Sequence, residues 1–180
     1  ILQCEPGACI YCGFRRDVTK EEVAAAGEED TILELLNCVP IHPGEAYFIP
    51  AGTVHAIGKG SVICEIQQSS VCTYRLYDYH RKDKFGNFRE LHLDKALAVM
   101  NTSRYEVPHY DEETIEKGEY TLRILSRCKY FECVSCLLDG RYPLEMDGNS
   151  FGSVVCVSGK GKIGCQDGQA ELDMQAGDSV

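Results

Sequence analysis

The stretch from Gly44 to His55 contains the residue type best suited to metal chemistry, a histidine that follows two tight turns. Its sequence, Gly-Glu-Ala-Tyr-Phe-Ile-Pro-Ala-Gly-Thr-Val-His, predicts a turn at its start, a short strand over 46–49 and a second turn over 50–52. We expect His55 to begin the next strand with its imidazole at the mouth of a corner. Coordination tolerates only small positional errors, so a rigid β framework is a suitable support for a ligand. The pattern therefore makes His55 a candidate metal ligand, and the alternative is a structural histidine whose hydrogen bonds are satisfied within the fold.

Two cysteine pairs offer a different metal site. Cys9-x2-Cys12 and Cys133-x2-Cys136 have the spacing of a four-cysteine zinc site. However, each pair lies in a predicted strand, where residues three apart point to opposite faces. We therefore keep a structural zinc module only as a third hypothesis.

A glycine- and lysine-rich segment, Gly-Lys-Gly-Lys over 159–162, has the composition of a phosphate-binding loop. No helix is predicted after it, and such a loop needs a helix N-terminus that points at the anion. The segment therefore predicts a hairpin turn.

The elements that would position His55 are mainly strands with a helical insert. Residues 1–14 predict β structure, and Thr19 begins an insert of two helices over about 18–37, with Gly27 as the end of the first helix. Strands follow over 61–67 and 72–77, and apolar spacing predicts a helix over about 89–101. The histidines at 42, 80, 92 and 109 have no partner at ligand spacing, so we expect them to be solvated.

After residue 119 the pattern is all β. Short runs over 120–124, 130–138, 154–158, 162–165 and 170–174 are separated by Asp-Gly and Ser-Gly turn signals, which is typical of a sandwich or barrel. The last five residues resemble a second copy of the Pro43 turn, and a weak repeat of this kind indicates a duplicated barrel. A polar connector over 101–118 contains the predicted domain boundary, giving one domain over 1–108 and a second, incomplete β domain over 109–180.

The motif resembles that of a known superfamily. Gly44-x5-Pro50-x-Gly52-x2-His55 matches the second motif of the cupin jelly-roll barrel, although Lys59 replaces the asparagine that often closes it. The segments over 48–58, 65–68 and 73–78 make the chain similar to the short bacterial type I mannose-6-phosphate isomerases. The resemblance implies a mainly β fold with two cupin barrels in tandem.

The resemblance also implies roles for individual residues. His55 falls on a zinc-binding histidine, Arg75 on the active-site arginine that faces the substrate oxygens, and Glu65 on an acidic residue of the substrate pocket. The resemblance implies that the remaining ligands of the single zinc ion lie before Ile1, which agrees with our interpretation that the chain opens in mid-strand of a longer protein. One ligand cannot hold zinc tightly, so we expect these 180 residues alone to be inactive.

The chemistry of an aldose-ketose isomerase is consistent with these roles. A proton moves between neighbouring carbons through an enediolate, which requires a base and a group that stabilises the oxyanion. Zinc with an open position can polarise oxygens, and an arginine can bridge two of them. Glu65 is either the base or a residue that positions water and substrate. The predicted reaction interconverts mannose 6-phosphate and fructose 6-phosphate; the alternative is a non-catalytic cupin that binds a sugar or sugar nucleotide.

Composition limits the partners of the protein. The 180 residues include 18 basic and 28 acidic side chains, and the net charge of −10 argues against nucleic acid or an anionic membrane as a partner. A small sugar phosphate needs only a local basic cluster. The odd count of 11 cysteines, without a leader peptide, predicts reduced thiols in the cytoplasm. The oligomeric state is not predicted.

Overall fold

The computed structural model describes residues 1–70, 72–107, 113–146, 148–165 and 170–180. Within these ranges two helices, α1 (Lys20–Glu28) and α2 (Leu93–Val99), and a 3₁₀ helix (Ile32–Leu35) accompany the strands. The ten strands of the described ranges, numbered β1 to β10 in chain order, are Gln3–Cys4, Cys9–Phe14, Leu36–Pro40, His55–Ile57, Ser61–Val62, Thr114–Lys117, Tyr120–Arg127, Glu132–Leu138, Lys160–Gly164 and Glu171–Gln175. The prediction of a mainly β fold is confirmed.

The strands form four antiparallel sheets. Their orders are β3-β2-β4, β1-β5, β6-β7-β8 and β10-β9. The first sheet is central to the site, because β2 pairs with the strand of His55 on one edge and with β3 on the other. No helix in the described ranges is both long and apolar enough to cross a membrane.

The centre of the first sheet contains a bulge that fixes the course of β2. The register between β2 and β3 shifts between Tyr11 and Phe14, and Gly13 has a φ of 66°. A Cβ on Gly13 would lie 2.3 Å from Cβ of Tyr105, so no larger residue fits there. The Asn37 side-chain amide lies within hydrogen-bond distance of four backbone carbonyls around this bulge, those of residues 12, 13, 14 and 105, at 3.0, 3.3, 3.4 and 2.9 Å.

The main hydrophobic core lies between the first sheet and the helical insert. Phe14 from β2 and Val23 from α1 are 1% and 0% exposed, and Leu76 and Met100 pack into the same cluster. The insert therefore supplies a large share of the core. Among the described residues after Met100, Met174 is the only buried hydrophobic side chain.

Several predicted boundaries are wrong. The helix predicted after Asp30 is a 3₁₀ helix that ends at Leu35, because Leu36 joins β3 opposite Phe14. The first helix runs past Gly27 to Glu28. Helix α2 covers only Leu93–Val99 of the predicted 89–101.

The strands predicted over 46–49 and 72–77 do not form, since both segments lie outside every sheet. The strand predicted over 61–67 is reduced to Ser61–Val62, and 154–158 contributes only an isolated bridge between Val155 and Ser179. The sequence prediction also missed β6, which lies in the predicted connector.

The domain boundary predicted after residue 108 stays a prediction, since residues 108–112 lie outside the described ranges. Contacts nevertheless join the two predicted domains. Arg123 donates from Nη2 to the carbonyl of Gly44 at 3.0 Å, and the rings of Phe48 and Phe131 meet edge to face with centroids 6.3 Å apart.

Candidate functional site

The first turn of the His55 motif forms as its sequence predicts. The Glu45 amide donates to the His42 carbonyl at 3.2 Å, so Pro43 and Gly44 occupy the central positions, and Gly44 has a φ of 89°. A positive φ at the third position is the signature of a type II turn. The turn is closed by the Glu45 carboxylate, which accepts from the His42 amide at 2.7 Å and from the Tyr47 hydroxyl at 2.8 Å.

These hydrogen bonds change the protonation of the turn. Burial alone would raise the pKa of Glu45, but the bonds from Tyr47 and His42 outweigh it, and the pKa lies below the usual value of 4.5. The pKa of Tyr47 is raised, first by burial and then by its bond to the carboxylate. Glu45 is therefore held as an anion in the folded protein.

The second turn requires a glycine for two reasons. The Thr53 amide donates to the Pro50 carbonyl at 3.1 Å, and Gly52 has a φ of 85°. A Cβ on Gly52 would lie 2.9 Å from the carbonyl oxygen of Val99, at the end of α2. The Gly52 carbonyl also accepts from the Asn101 amide at 2.9 Å. This turn is thus fixed against helix α2, as a support for the strand that follows.

His55 lies at the first position of β4, as predicted. It pairs with Cys12 of β2, which is 1% exposed, whereas the histidine itself is exposed. The imidazole Nδ1 lies 2.9 Å from the carbonyl oxygen of Thr53, and only a protonated Nδ1 can donate to that carbonyl. The hydrogen bond therefore leaves the lone pair of Nε2 available outside the strand, which is the arrangement of metal-binding histidines.

His55 fits the role of one metal ligand, but the described residues do not supply a complete set. Within the described ranges no group of three or more histidine, cysteine, aspartate or glutamate side chains could hold a metal ion. This finding also contradicts the four-cysteine hypothesis. Cys9 is half-buried and Cys12 fully buried, as expected for residues three apart on a strand.

Arg75 is held at both its backbone and its side chain, although it is not in a strand. Its amide donates to Nδ1 of His92 at 3.2 Å and its carbonyl accepts from the His92 amide at 2.7 Å. Its Nη1 donates to the Glu90 carbonyl at 3.1 Å, and Nε lies 3.6 Å from Oδ1 of Asp78. Among the described residues Nη2 has no hydrogen-bond partner, so one donor edge of the guanidinium is open to a ligand.

Asp78 is the centre of an arginine cluster that the sequence prediction missed. Its side chain is 6% exposed, and Oδ1 lies 2.6 Å from Nη2 of Arg81 and 3.3 Å from Nη1 of Arg89, besides its contact with Arg75. Oδ2 is buried and has no hydrogen-bond partner in the described ranges. Three cations share one anion, so this arginine cluster carries a net charge of +2 within a chain of −10. The spacing Arg-x2-Asp-x2-Arg over 75–81 was the available signal.

Glu65 is exposed, lies outside every sheet and makes no hydrogen bond or ion pair within the described residues. The prediction that strands over 61–67 and 72–77 carry Glu65 and Arg75 is therefore wrong for both residues. Within the described ranges no hydrogen bond or ion pair joins His55, Glu65 and Arg75 to one another. Val54, which precedes His55, packs against the core cluster that also contains Leu76, the residue after Arg75.

Three of the other histidines can be assigned. His42 and His80 have exposed side chains, with contacts of 3.1 Å to Glu45 and 2.6 Å to Asp30. His92 is only 23% exposed and supports Arg75, so the prediction that it is solvated is wrong. His109 lies outside the described residues.

The prediction of a hairpin turn over 159–162 is wrong, because residues 160–162 lie in strand β9 and pair with β10. Lys162 lies 2.5 Å from a carboxylate oxygen of Glu171 and 3.8 Å from one of Asp173. The lysine charge is therefore compensated within the hairpin.

Comparison with known proteins shows a consistent set of relatives. The chain is 38% identical over 167 residues to the mannose-6-phosphate isomerase ManA of Bacillus subtilis (strain 168). This match covers 91% of this chain and 51% of the relative. It is 39% identical over 106 residues to the mannose-6-phosphate isomerase of Streptococcus mutans, covering 58% of this chain and 33% of the relative. No protein-family model matches the chain.

A solved structure is also similar. The crystal structure of the mannose 6-phosphate isomerase from Bacillus subtilis matches with a TM-score of 0.80 and 26% identity, over 99% of this chain and 55% of that one. The predicted fold class and the predicted resemblance are thereby confirmed. Nearly all of this chain is matched in these relatives, but it spans only about half of their length.

Proposed function

We propose that the protein containing this chain, which is related to the mannose-6-phosphate isomerases, interconverts mannose 6-phosphate and fructose 6-phosphate. The observation that carries the proposal is 38% identity to ManA over 91% of the chain, a range that includes most of the candidate site. The geometry at His55 and Arg75 agrees with the chemistry of that reaction.

His55 is assigned the role of a zinc ligand through Nε2. The hydrogen bond from Nδ1 to Thr53 fixes the tautomer, and the two turns fix the ring position. Bound zinc would supply a Lewis acid that orients and polarises the sugar oxygens. The other ligands come from outside the described residues.

Arg75 is assigned to the two oxygens on which negative charge develops. Its contacts with Asp78 and with the Glu90 carbonyl fix the plane of the guanidinium, and Nη2 stays open for a sugar oxygen. Because an arginine is charged at any working pH, it stabilises the enediolate without a proton transfer of its own. Glu65 is assigned either the proton transfer or the positioning of water and substrate.

The substrate is a small anion, which agrees with the electrostatics of the arginine cluster. The net charge of +2 around Asp78 creates a local positive field in a chain that is otherwise acidic. Such a field raises the local concentration of a sugar phosphate. We also propose a cytoplasmic location, since all 11 cysteines are free thiols.

The test is a coupled isomerase assay of the full-length protein, with zinc content measured by mass spectrometry. We expect His55→Ala to lower both kcat/KM and bound zinc, by roughly 100-fold in activity, because a ligand is lost. The matched control is His42→Ala, an exposed histidine just before the same motif, which should leave both unchanged. Unchanged activity in His55→Ala would contradict the proposed site, and sugar binding without turnover by the wild type would favour the non-catalytic alternative.

A further inference from the structure

Two thiols outside the candidate site lie within contact distance. Cys9 of β2 and Cys38 of β3 have Sγ atoms 2.9 Å apart. A disulfide bond is about 2.05 Å long, so the two sulfur atoms need to approach by less than one ångström. Both are free thiols, and no other pair of cysteines in the described ranges makes a thiol hydrogen bond.

The sheet register explains the proximity. Cys9 is opposite Pro40, and Tyr11 is opposite Cys38, so the two cysteines occupy diagonal positions on one face of the β2-β3 pair. The right-handed twist of neighbouring strands shortens one diagonal and lengthens the other. The Sγ separation places this pair on the short diagonal.

The pair is accessible from solvent, because Cys38 is exposed and Cys9 is half-buried. Cys38 is therefore the sulfur that a small oxidant in solution reaches first, and Cys9 is the nearest thiol that can react with the product.

We propose that Cys9 and Cys38 are a redox-modification site that forms a reversible disulfide when a peroxide oxidises the protein. Hydrogen peroxide converts the Cys38 thiol to a sulfenic acid and releases one water. The Cys9 sulfur then attacks the sulfenic sulfur, the S–O bond breaks, and the departing hydroxide takes the thiol proton as a second water. Two thiols are oxidised by two electrons in total, and one peroxide is reduced to two waters.

The crosslink has a defined structural effect. It joins the two strands that flank α1 and the 3₁₀ helix, so the helical insert becomes a closed loop. It lies on the edge of β2 that faces β3, whereas His55 pairs with the other edge at Cys12. Oxidation should therefore leave the His55 strand in place and raise the thermal midpoint, because a crosslink restricts the unfolded chain.

The test uses the full-length protein, treated with hydrogen peroxide, alkylated, digested without reductant and mapped by mass spectrometry. We expect a linked pair of peptides containing Cys9 and Cys38, two hydrogens lighter than the separate thiol peptides, that disappears with dithiothreitol. Thiol titration should show two thiols lost per linked chain.

Matched variants separate this pair from general thiol oxidation. Cys9→Ser and Cys38→Ser should each abolish the linked peptide and the rise in thermal midpoint. Cys136→Ser, which removes an exposed cysteine on β8, should retain both. The proposal is wrong if Cys9 and Cys38 are both recovered alkylated after peroxide treatment, or if Cys38 is recovered linked to a different cysteine. Neither readout depends on isomerase activity, so the result stands apart from the proposed function.

Discussion

Removal of the Asp78 charge should destabilise the protein more than removal of an exposed acidic partner. The side chain is 6% exposed, and its Oδ1 is shared by Arg75, Arg81 and Arg89, whose side chains are 21%, 59% and 45% exposed. Without the carboxylate, three guanidinium groups are left close together with no anion between them. The folded state then contains repulsion that the unfolded state lacks.

The magnitude follows from the exposure of the partners. Breaking a fully buried ion pair costs about 3–5 kcal/mol, whereas an exposed pair contributes about 0–1 kcal/mol. Two of the three arginines are well hydrated, so we expect a loss of about 2 kcal/mol for Asp78→Ala. Asp78→Asn should cost about 1 kcal/mol, because the amide loses the charge but keeps one acceptor oxygen for the arginines.

The assay is urea unfolding of the full-length protein at low and high salt. Glu132→Gln is the matched control, because Glu132 pairs with Arg127 on the surface at 43% and 61% exposure, and its loss should cost under about 0.5 kcal/mol. Added salt screens the three arginines and should shrink the cost of Asp78→Asn. A loss no larger than that of Glu132→Gln, or a loss that grows with salt, would refute the assignment of Asp78 as their shared anion.

Three further changes test the supports of the site by urea unfolding. Gly13→Ala should lower the free energy of unfolding by about 3 kcal/mol, since the new Cβ would lie 2.3 Å from Tyr105. The control Gly118→Ala, at a φ of 55° with no atom within 4 Å of the new Cβ, should lower it by only about 1 kcal/mol. Equal losses would contradict the steric explanation. Thr19→Ala should lower the free energy of unfolding by about 1 kcal/mol, because Thr19 Oγ1 accepts a 3.1 Å hydrogen bond from the Glu22 amide at the start of α1. An unchanged urea midpoint would contradict this capping role. Glu45 has a folded pKa below its unfolded value of 4.5, so its contribution is present above about pH 4.5 and is lost as pH falls through the folded pKa. Glu45→Gln should therefore flatten the stability profile below pH 4.5, and an unaltered acid profile would count against this linkage.

Local turn chemistry could be predicted from the sequence, and it was sufficient for the His55 corner. Pro43-Gly44 and Pro50-Ala51-Gly52 restrict the backbone through residues that are adjacent in sequence, and both turns form as expected. Thr19 likewise caps α1 through a hydrogen bond that spans three residues. These features need no knowledge of the rest of the chain.

Pairing between distant segments could not be predicted in the same way. Residues 46–49 have strong β propensity, but a strand also needs a hydrogen-bonded partner, and none pairs with them in the described ranges. The segment after Asp30 has helical spacing, yet pairing of Leu36 with Phe14 draws it into β3. Asp78 was missed because one of its partners, Arg89, lies eleven residues away in sequence and meets it only in the folded chain.

The Asn37 amide shows why similarity of size does not guarantee tolerance. Its single NH₂ group faces four carbonyl oxygens within 3.4 Å, contributed by β2 and by residue 105. Aspartate has almost the same shape, but it would direct an anionic oxygen at all four lone-pair surfaces. Asn37→Asp would thus replace the attraction that holds β2 and residue 105 together at this point by electrostatic repulsion.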